Sequence, residues 1–255
     1  MENKNDNHRV IGEKQEISYD KVKLFFNHRA GSKKKHIYNY VMYLDDKPEI
    51  AIDRDTKEKR MMDTLIDITY GMRVLDVGCG IGRWGEFFLK KGAFYVGMDV
   101  TTGMIEMAEK NLQEYKNKKL LVSAAQNLEE TLVQADESAF DIIFVSGVLM
   151  YLNDVDCQTT MQQMASVCAD GGVIFINESM SDNSRLTLND FYSRDLKQDY
   201  SAIYRTVSEY EKFMDAAFGS KFTKKFGQVW NFEDGLQKER EHVTLEHLYM
   251  WEKIR

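Results

Sequence analysis

The chain has 255 residues, of which 43% are hydrophobic and 29% charged, as in ordinary folded globular proteins. Its net charge of −7 argues against broad binding of nucleic acid, because such binding depends on neutralising phosphates. The longest apolar run, near residues 142–150, is far shorter than the roughly 20 residues that cross a bilayer. Residues 1–16 lack the apolar stretch of a secretory signal. We therefore expect a cytoplasmic protein with a small-molecule partner, without bound nucleic acid or membrane insertion.

Residue types that ligate metals are sparse and poorly spaced. Cys79, Cys157 and Cys168 form no CxxC pair, which disfavours both a disulfide framework and a zinc site. Asp141, Asp154 and Asp156 form only a weak carboxylate cluster, and Asp141 is expected to be fixed at the start of a strand. The sequence therefore predicts reduced cysteines and no metal.

The N-terminal quarter of the chain predicts helices. Apolar and aromatic residues between positions 17 and 47 recur mostly at helical spacing, and residues 54–68 repeat apolar positions with a helical period. We interpret residues 1–53 as a helical cap that contributes to substrate binding. The helix at 54–68 should lead into a sheet.

Short apolar runs then alternate with amphipathic segments. The runs predict strands at residues 73–77, 95–99, 120–123, 141–146 and 173–176, with helices at 82–90, 103–115 and 157–168. Such alternation indicates a parallel sheet covered by helices on both faces. Residues 181–221 are polar and aromatic-rich and predict a lid insertion. Residues 222–255 hold two closing strands, at 222–230 and 242–251.

A glycine-rich turn follows the first of these strands. Gly78, Gly80 and Gly82 give the spacing GxGxG, and Arg83 stands where a dinucleotide-binding turn has its third glycine. Asp76 ends the strand and suits a cationic ligand. S-adenosylmethionine, which carries an ammonium and a sulfonium group, therefore fits this turn better than a pyrophosphate does.

A second carboxylate, Asp99, ends the next strand, 23 positions after Asp76. An acidic side chain at such a position can accept hydrogen bonds from both ribose hydroxyls. Together, residues 74–84 and 95–99 resemble motif I and the following acidic strand end of class I methyltransferases. The resemblance implies an S-adenosyl-L-methionine-dependent methyltransferase with an α/β, Rossmann-like fold: a mostly parallel seven-stranded sheet whose cofactor-binding core spans residues 54–180.

The resemblance also implies which residues surround the cofactor. The residues after the third strand are expected at the adenine and those after the fourth strand at the methionine portion. The corresponding positions are Gln126, Asn127, Leu128, Ser146 and Val148, with Val100, Thr101 and Met104 beside Asp99. Three residues are candidates to bind the carboxylate of the cofactor: Tyr19, Arg29 and Arg54. Arg54 is favoured, and an arginine can bind a carboxylate in a bidentate pair.

Methyl transfer to a protonated oxygen or nitrogen requires a base. The candidates are His28, Tyr151, Glu178 and His242. Glu178 follows a strand of the sheet, so it is expected at the edge where substrate binds. An acceptor that is already anionic requires no base.

Four residues of the lid predict substrate binding, because tyrosine hydroxyls and a guanidinium suit a polar or phosphorylated acceptor. They are Tyr192, Tyr200, Tyr204 and Arg205. An aromatic packing layer is the alternative interpretation. Together with Arg29 and the basic run at residues 33–35, Arg205 favours an anionic acceptor, and O-methylation is the preferred reaction.

A looser resemblance concerns residues 25–30, 82–84, 145–151 and 185–193. These segments look like methyltransferases encoded with bacterial capsule and surface-glycan genes, some of which are associated with methylating phosphoramidate or sugar groups. Two other hypotheses stay open. One is a catalytically silent S-adenosylmethionine-binding regulatory protein, and the other is an NAD-dependent oxidoreductase.

Overall fold

The computed structural model describes residues 8–42, 45–193, 196–229 and 244–255. His242, a candidate base, and the predicted strand positions 230, 242 and 243 lie outside the described residues. In chain order the elements are β1 (Arg9–Ile11), α1 (Tyr19–Gly31), α2 (Asn39–Met42), α3 (Pro48–Leu65), β2 (Arg73–Val77), α4 (Arg83–Lys90), β3 (Phe94–Asp99), α5 (Thr102–Asn111), β4 (Lys118–Val122), α6 (Leu128–Gln134), β5 (Phe140–Ser146), α7 (Asp154–Val167), β6 (Cys168–Ser181), β7 (Leu186–Ser193), β8 (Gln198–Tyr204), α8 (Val207–Phe218), β9 (Phe222–Val229) and β10 (Thr244–Lys253).

Among the described residues, seven strands form the main sheet in the order β4-β3-β2-β5-β6-β10-β9. The first five of these are parallel, whereas β10 runs antiparallel to both β6 and β9. The predicted Rossmann-like class I methyltransferase fold is thereby confirmed. The strand order reverses between β2 and β5, and open α/β sheets bind ligands at the carboxyl ends of strands beside such a reversal.

The central strands are buried on both faces. Leu75 and Val77 of β2 pack into one apolar layer with helices α6, α7 and α8, whereas Val74 packs into the other with α3, α4 and α5. This alternation follows from the two-residue period of a strand. Burial on both faces explains why these strands read as continuous apolar runs in the sequence.

Two predicted elements extend further than expected. The strand predicted at 173–176 is part of the longer β6, because β10 pairs with it from Val173 to Ser181. The helix predicted from residue 54 begins at Pro48, whose fixed φ suits the first turn of a helix.

The region predicted as a lid insertion contains a second sheet. Strands β7 and β8 form an antiparallel hairpin, and β1 pairs with β7 along Leu186–Leu188. Helix α8 lies in the same predicted range but packs on α7, and it buries Tyr210, Met214 and Phe218 in the main core. The cover over the sheet therefore consists of β1, β7 and β8 together with α1 and α2.

A β-bulge interrupts β7. Its pairing with β8 is regular up to Leu188 and resumes at Phe191, so β7 has one residue more than β8 in this interval. Within the bulge Asp190 has a φ of 56°, and its backbone N–H donates to Oγ of Ser201 at 2.9 Å. One extra residue reverses the alternation of side chains along a strand. Leu186, Leu188 and Phe191 consequently line the same cavity.

The cap joins the two sheets. Helix α1 packs against α5 of the main fold on one side and against β8 of the second sheet on the other. None of the helices in the described part of the chain has the length and apolar character needed to cross a membrane.

Candidate active site

A cavity of about 1130 Å³ lies at the carboxyl ends of β2, β3 and β5. Its floor consists of the turns that follow these strands and β4, and we call these turns the cofactor floor: residues 76–80, 99–104, 123–126 and 146–148. Helices α1 and α2 and the second sheet close the opposite side. Ligand pockets commonly have about 300–1,000 Å³. The cavity therefore has room for a cofactor and a second small molecule.

Glycines let the backbone of the first turn line this cavity. Gly78 and Gly80 have φ angles of 75° and 53°, in the left-handed region that favours glycine. A Cβ on Gly78 would lie 2.2 Å from Cγ2 of Val148, on the turn after β5. A Cβ on Gly82 would lie 2.8 Å from Leu112, so that glycine serves the packing of α4 on α5.

The Asp99 carboxylate organises the middle of the cofactor floor. Its Oδ2 accepts a hydrogen bond from the Gly80 N–H at 3.1 Å, and its Oδ1 accepts one from the Thr101 N–H at 2.8 Å. Burial raises the pKa of Asp99, and these two bonds oppose that rise. Each carboxylate oxygen can accept a further hydrogen bond, so the group retains capacity for two ribose hydroxyls.

Asp76 lines the cavity at the end of β2 and is only 2% exposed. The hydroxyl of Tyr95 donates to its Oδ2 at 2.6 Å. Burial nevertheless raises the pKa of Asp76 to about 7. A cationic ligand favours the ionised form of a buried carboxyl group, so Asp76 suits the ammonium group of a cofactor.

Arg54 and Arg83 share one buried acid at the cavity edge. Arg83 Nη1 contacts Oδ1 of Asp55 at 2.8 Å and Oε2 of Glu58 at 2.6 Å. Arg54 donates to Oε1 of Glu58 at 2.8 Å and contacts Glu246 at 3.1 Å. Burial opposes ionisation of Glu58, but the two arginines hold its pKa below the usual range. Arg54 thus lines the cavity while it already pairs with two carboxylates.

The turn after β5 rests on Glu178 of β6. Oε1 of this fully buried carboxyl group accepts hydrogen bonds from the N–H groups of Val148 at 2.7 Å and Leu149 at 2.9 Å. Burial raises the pKa of Glu178 to about 7, and the two N–H groups oppose the rise. Glu178 is not among the described residues that line the cavity. Its contacts are those of a residue that positions the backbone of Val148 and Leu149.

Three tyrosine hydroxyls form a chain on the side of the cavity opposite the cofactor floor. The hydroxyls of Tyr151 and Tyr200 are 3.1 Å apart, as are those of Tyr200 and Tyr204. Their rings pack in a cluster with α1, where Phe26 meets Tyr151 edge to face at 5.1 Å. These tyrosines pack together and also line the cavity, and their role in substrate binding stays a prediction.

The cavity brings together most residues predicted from the sequence. Those that line it are Tyr19, Arg54, Asp76, Gly78, Gly80, Asp99, Val100, Met104, Gln126, Ser146, Val148, Tyr151, Tyr200 and Tyr204. Tyr19 also accepts a hydrogen bond from the N–H of Asn153 at 2.9 Å and donates to Asp156, so it links the cap to the start of α7.

The other predicted residues that the structure describes do not line it. His28 is exposed and bonds to Gln198, and Tyr192 is 46% exposed on the outer side of the bulge. Arg29 is buried against Asp45 and backbone carbonyls of the cap. Thr101, Leu128 and Arg205 are buried, Asn127 precedes α6, and Gly82 packs against α5. Arg205 donates to the carbonyls of Leu149 and Leu152 and to Asp154.

Sequence reasoning missed Arg9, Phe191 and Glu246, all of which line the cavity. Arg9 lies on a three-residue strand whose partner is about 180 positions away in the chain, and Phe191 faces the cavity only because of the bulge. Neither the pairing of β1 with β7 nor the bulge in β7 has a local sequence signal.

The cysteines are free and buried, and Cys79 lines the cavity. Over the described ranges, no group of three or more His, Cys, Asp or Glu side chains is arranged to hold a metal ion.

Comparison with known proteins points to one family. Residues 74–172 match the family described as "Methyltransferase domain". Phosphoethanolamine N-methyltransferase 1 of Triticum aestivum is 26% identical over 175 residues, which cover 67% of this chain and 34% of that protein. The chain thus spans about a third of the length of this relative.

Solved structures share the fold. Phosphoethanolamine N-methyltransferase 1 of Haemonchus contortus, in complex with phosphoethanolamine and S-adenosylhomocysteine, has a TM-score of 0.68 at 18% identity, covering 92% of this chain and 48% of that one. Magnesium protoporphyrin IX methyltransferase of Synechocystis, with bound S-adenosylmethionine, has a TM-score of 0.61 at 13% identity, covering 94% of this chain and 100% of that one.

The residues present fit the cofactor of this family. The buried carboxylate of Asp76 and the partly buried one of Asp99 line the cavity, and the close contact between Gly78 and Val148 leaves no space for a side chain between the turns. Residues 74–172 therefore match a methyltransferase domain, the chain has the Rossmann-like class I fold, and the residues lining the cavity suit S-adenosyl-L-methionine.

Proposed function

We propose that the whole protein is an S-adenosyl-L-methionine-dependent methyltransferase acting on a small anionic acceptor. The observation that carries this proposal is the single cavity that holds the cofactor floor on one side and a separate tyrosine-lined side on the other. When bound, S-adenosyl-L-methionine supplies an electrophilic methyl group on a sulfonium. The protein's part is to hold both molecules in line and to exclude water.

The cofactor floor offers a partner for each polar part of the cofactor. Asp99 would accept the ribose hydroxyls and Asp76 would pair with the ammonium group. The side-chain carbonyl of Gln126 is suited to the exocyclic amine of adenine. Arg54 would bind the cofactor carboxylate only by sharing its guanidinium with Glu58 and Glu246.

The distribution of charge in the cavity supports an anionic acceptor. The lining cations that have no ion pair among the described residues are Arg9, Lys23 and Lys47, and they lie on the cap and the second sheet. Three lining carboxylates have no ion pair among the described residues. Asp76 and Asp99 belong to the cofactor floor, and Asp20 lies on α1. The cationic cofactor and an anionic acceptor would then occupy opposite sides.

We further propose O-methylation. No histidine lies among the described residues that line the cavity, whereas the hydroxyls of Tyr151, Tyr200 and Tyr204 do. Hydroxyl groups can donate to an oxygen nucleophile and hold it in place. An oxygen that is ionised before binding needs no base in the cavity. A phosphoramidate or sugar acceptor in capsule biosynthesis rests on the looser sequence resemblance alone.

The experiment is a two-step measurement on the full chain. Calorimetry with S-adenosyl-L-methionine tests cofactor binding, with Asp99→Asn as the variant expected to weaken it by at least about tenfold. Incubation with methyl-labelled cofactor and fractionated metabolite extracts then tests transfer. We expect the label in an acidic small-molecule fraction. Cofactor binding without transfer to any fraction would instead favour the silent regulatory protein.

A further inference from the structure

One part of the cavity lining, contributed by the cap, the second sheet and the segment after β5, is apolar. We call it the acceptor wall and define it by Phe26, Met150, Leu186, Leu188, Phe191 and Leu196, all of which line the cavity. Four of these residues, Phe26, Met150, Leu188 and Leu196, pack in the same apolar cluster as the tyrosine chain. A wall of this composition gains free energy by burying an apolar surface of the ligand, and it offers few partners to a molecule with many hydroxyls.

The bulge in β7 is what makes this wall continuous. If β7 had the same sequence but no bulge, side chains would alternate regularly along it. Asp190 and Tyr192 would then follow Leu186 and Leu188 into the cavity. With the bulge, Phe191 lines the cavity, while the Asp190 carboxylate pairs with Lys21 and Tyr192 is 46% exposed. The backbone accommodates a φ of 56° at Asp190 for this arrangement. A β-bulge that directs a side chain in this way is common beside binding sites.

One cation adjoins the apolar wall. The guanidinium carbon of Arg9 lies 6.0 Å from the centroid of the Phe191 ring, and Arg9 faces Leu188 across the strand pair. Nε of Arg9 is buried without a hydrogen-bond partner, and no ion pair to Arg9 is formed within the described ranges. A guanidinium in this state binds an oxyanion through charge-assisted hydrogen bonds.

We propose that the acceptor is an amphipathic acid, in which a flat apolar ring system carries a hydroxyl that is ionised before binding, so that its oxygen takes the methyl group without a base, and, at its other end, a carboxylate or phosphate. The ring lies against the acceptor wall, and Arg9 binds the oxyanion. The inference rests on the proposed function and narrows its substrate class. It disfavours sugars and short phosphorylated amines, because these leave Phe191, Leu188 and Phe26 without an apolar partner.

The test is a binding comparison on the full chain saturated with S-adenosylhomocysteine, so that no turnover is needed. Four probes separate the two recognition elements: 3,4-dihydroxybenzoate has ring and anion, catechol has the ring alone, and phosphoethanolamine and glucose 6-phosphate have the anion alone. We expect 3,4-dihydroxybenzoate to bind at least about tenfold more tightly than each of the other three. Equal or tighter binding of either phosphate compound, or no binding of any probe, would overturn the inference.

Two pairs of variants assign the residues. Arg9→Gln should reduce the affinity for 3,4-dihydroxybenzoate to that for catechol and leave catechol unchanged, and Arg9→Lys should retain part of the difference. Phe191→Ala should weaken both ring compounds, whereas Tyr192→Ala, the outward neighbour, should weaken neither. Melting temperatures of all four variants identify any that fail to fold. An unchanged preference in folded Arg9→Gln would exclude Arg9 as the anion-binding residue.

Different results would refute the proposed methyltransferase function and the amphipathic acceptor. If the chain does not bind S-adenosyl-L-methionine in calorimetry, the proposed function is wrong. If it binds the cofactor and transfers label from it, but prefers the anion-only probes, only the amphipathic acceptor is wrong.

Discussion

The hydroxyl of Tyr95, on β3, donates a hydrogen bond to Oδ2 of Asp76, on the neighbouring strand β2, at 2.6 Å. Both side chains are buried. Burial raises the pKa of Asp76 to about 7, and the bond from Tyr95 limits the rise. A group that would bind a cationic cofactor therefore changes charge near neutral pH.

We expect Tyr95→Phe to weaken the binding of S-adenosyl-L-methionine most strongly below about pH 7 and progressively less at higher pH. Loss of the hydroxyl raises the pKa of Asp76 further, so more of the carboxyl group is protonated and neutral at a given pH. In the wild-type protein, affinity should increase as the pH rises through about 7, because the ionised form binds the cation. Calorimetry as a function of pH measures both effects.

The amino group of S-adenosyl-L-methionine also titrates, but it does so equally with the wild type and with Tyr95→Phe. The difference between their two pH profiles of affinity therefore reports on Asp76. Tyr70→Phe is the matched control, since Tyr70 is 91% exposed. Coincident pH profiles for Tyr95→Phe and the wild type would exclude this coupling.

Gly78→Ala should weaken cofactor binding by at least about tenfold and reduce the free energy of unfolding by about 1–3 kcal/mol. The new Cβ would lie 2.2 Å from Val148, and the φ of 75° is strained for alanine. The double variant with Val148→Ala should recover part of the loss, because it removes the atom that clashes. Gly31→Ala is the control, since a Cβ there meets nothing within 4 Å. Equal effects of Gly78→Ala and Gly31→Ala would count against the close contact.

Glu178→Gln distinguishes a positioning role from a catalytic base. An amide oxygen can still accept from the N–H groups of Val148 and Leu149, so turnover should fall by no more than a few-fold. Glu178→Ala removes the acceptor and should destabilise the fold by about 2–4 kcal/mol. Abolished turnover in a stable Glu178→Gln protein would restore the catalytic role.

The same residue gives the stability a pH dependence. The pKa of Glu178 is higher in the folded protein than in the unfolded chain, so the folded state binds more protons between these two values. The stability that this difference contributes is fully present at low pH and is lost as the pH rises through about 7. Denaturant unfolding of Glu178→Gln should therefore vary less between pH 5 and 8 than that of the wild type.

Arg205→Lys should lower the free energy of unfolding by at least about 2 kcal/mol and leave the cofactor affinity of the folded protein unchanged. The Arg205 guanidinium donates to two carbonyls, of Leu149 at 3.0 Å and of Leu152 at 2.6 Å, and to Asp154 at 2.9 Å. A lysine cannot reach all three. Lys225→Gln, which breaks a half-exposed pair with Glu252, should change stability by less than about 0.5 kcal/mol. Unaltered stability with reduced acceptor binding would return Arg205 to the substrate site.

The main sheet and the cofactor floor were predictable because their signals are local. Strands buried on both faces appear as apolar runs, and Asp76, the glycines and Asp99 are spaced by the geometry of one strand-turn-helix unit and the next strand. The acceptor side depends on contacts between distant positions. Arg9 pairs opposite Leu188, and the bulge at Asp190 decides that Phe191 rather than Tyr192 lines the cavity. The sequence analysis, which had only the composition of the lid, predicted its tyrosines and Arg205 as substrate-binding residues instead.

Arg205 and Glu178 were predicted as site residues because their burial cannot be read from the sequence. A sequence records that a charged side chain is present, but not whether backbone groups have already satisfied it. Both residues bond to the segment 148–152, and this shared contact with the turn after β5 depends on the tertiary fold.

The two ends of the β7–β8 hairpin meet, since Leu186 is paired with Tyr204. A segment whose ends are adjacent can be exchanged for another hairpin without rerouting the chain on either side. Grafting residues 186–204 between related proteins would therefore transfer most of the acceptor wall while the cofactor floor stays as it is. If the acceptor wall binds the acceptor as proposed, replacement of this one contiguous stretch should change acceptor preference and leave cofactor binding as it is.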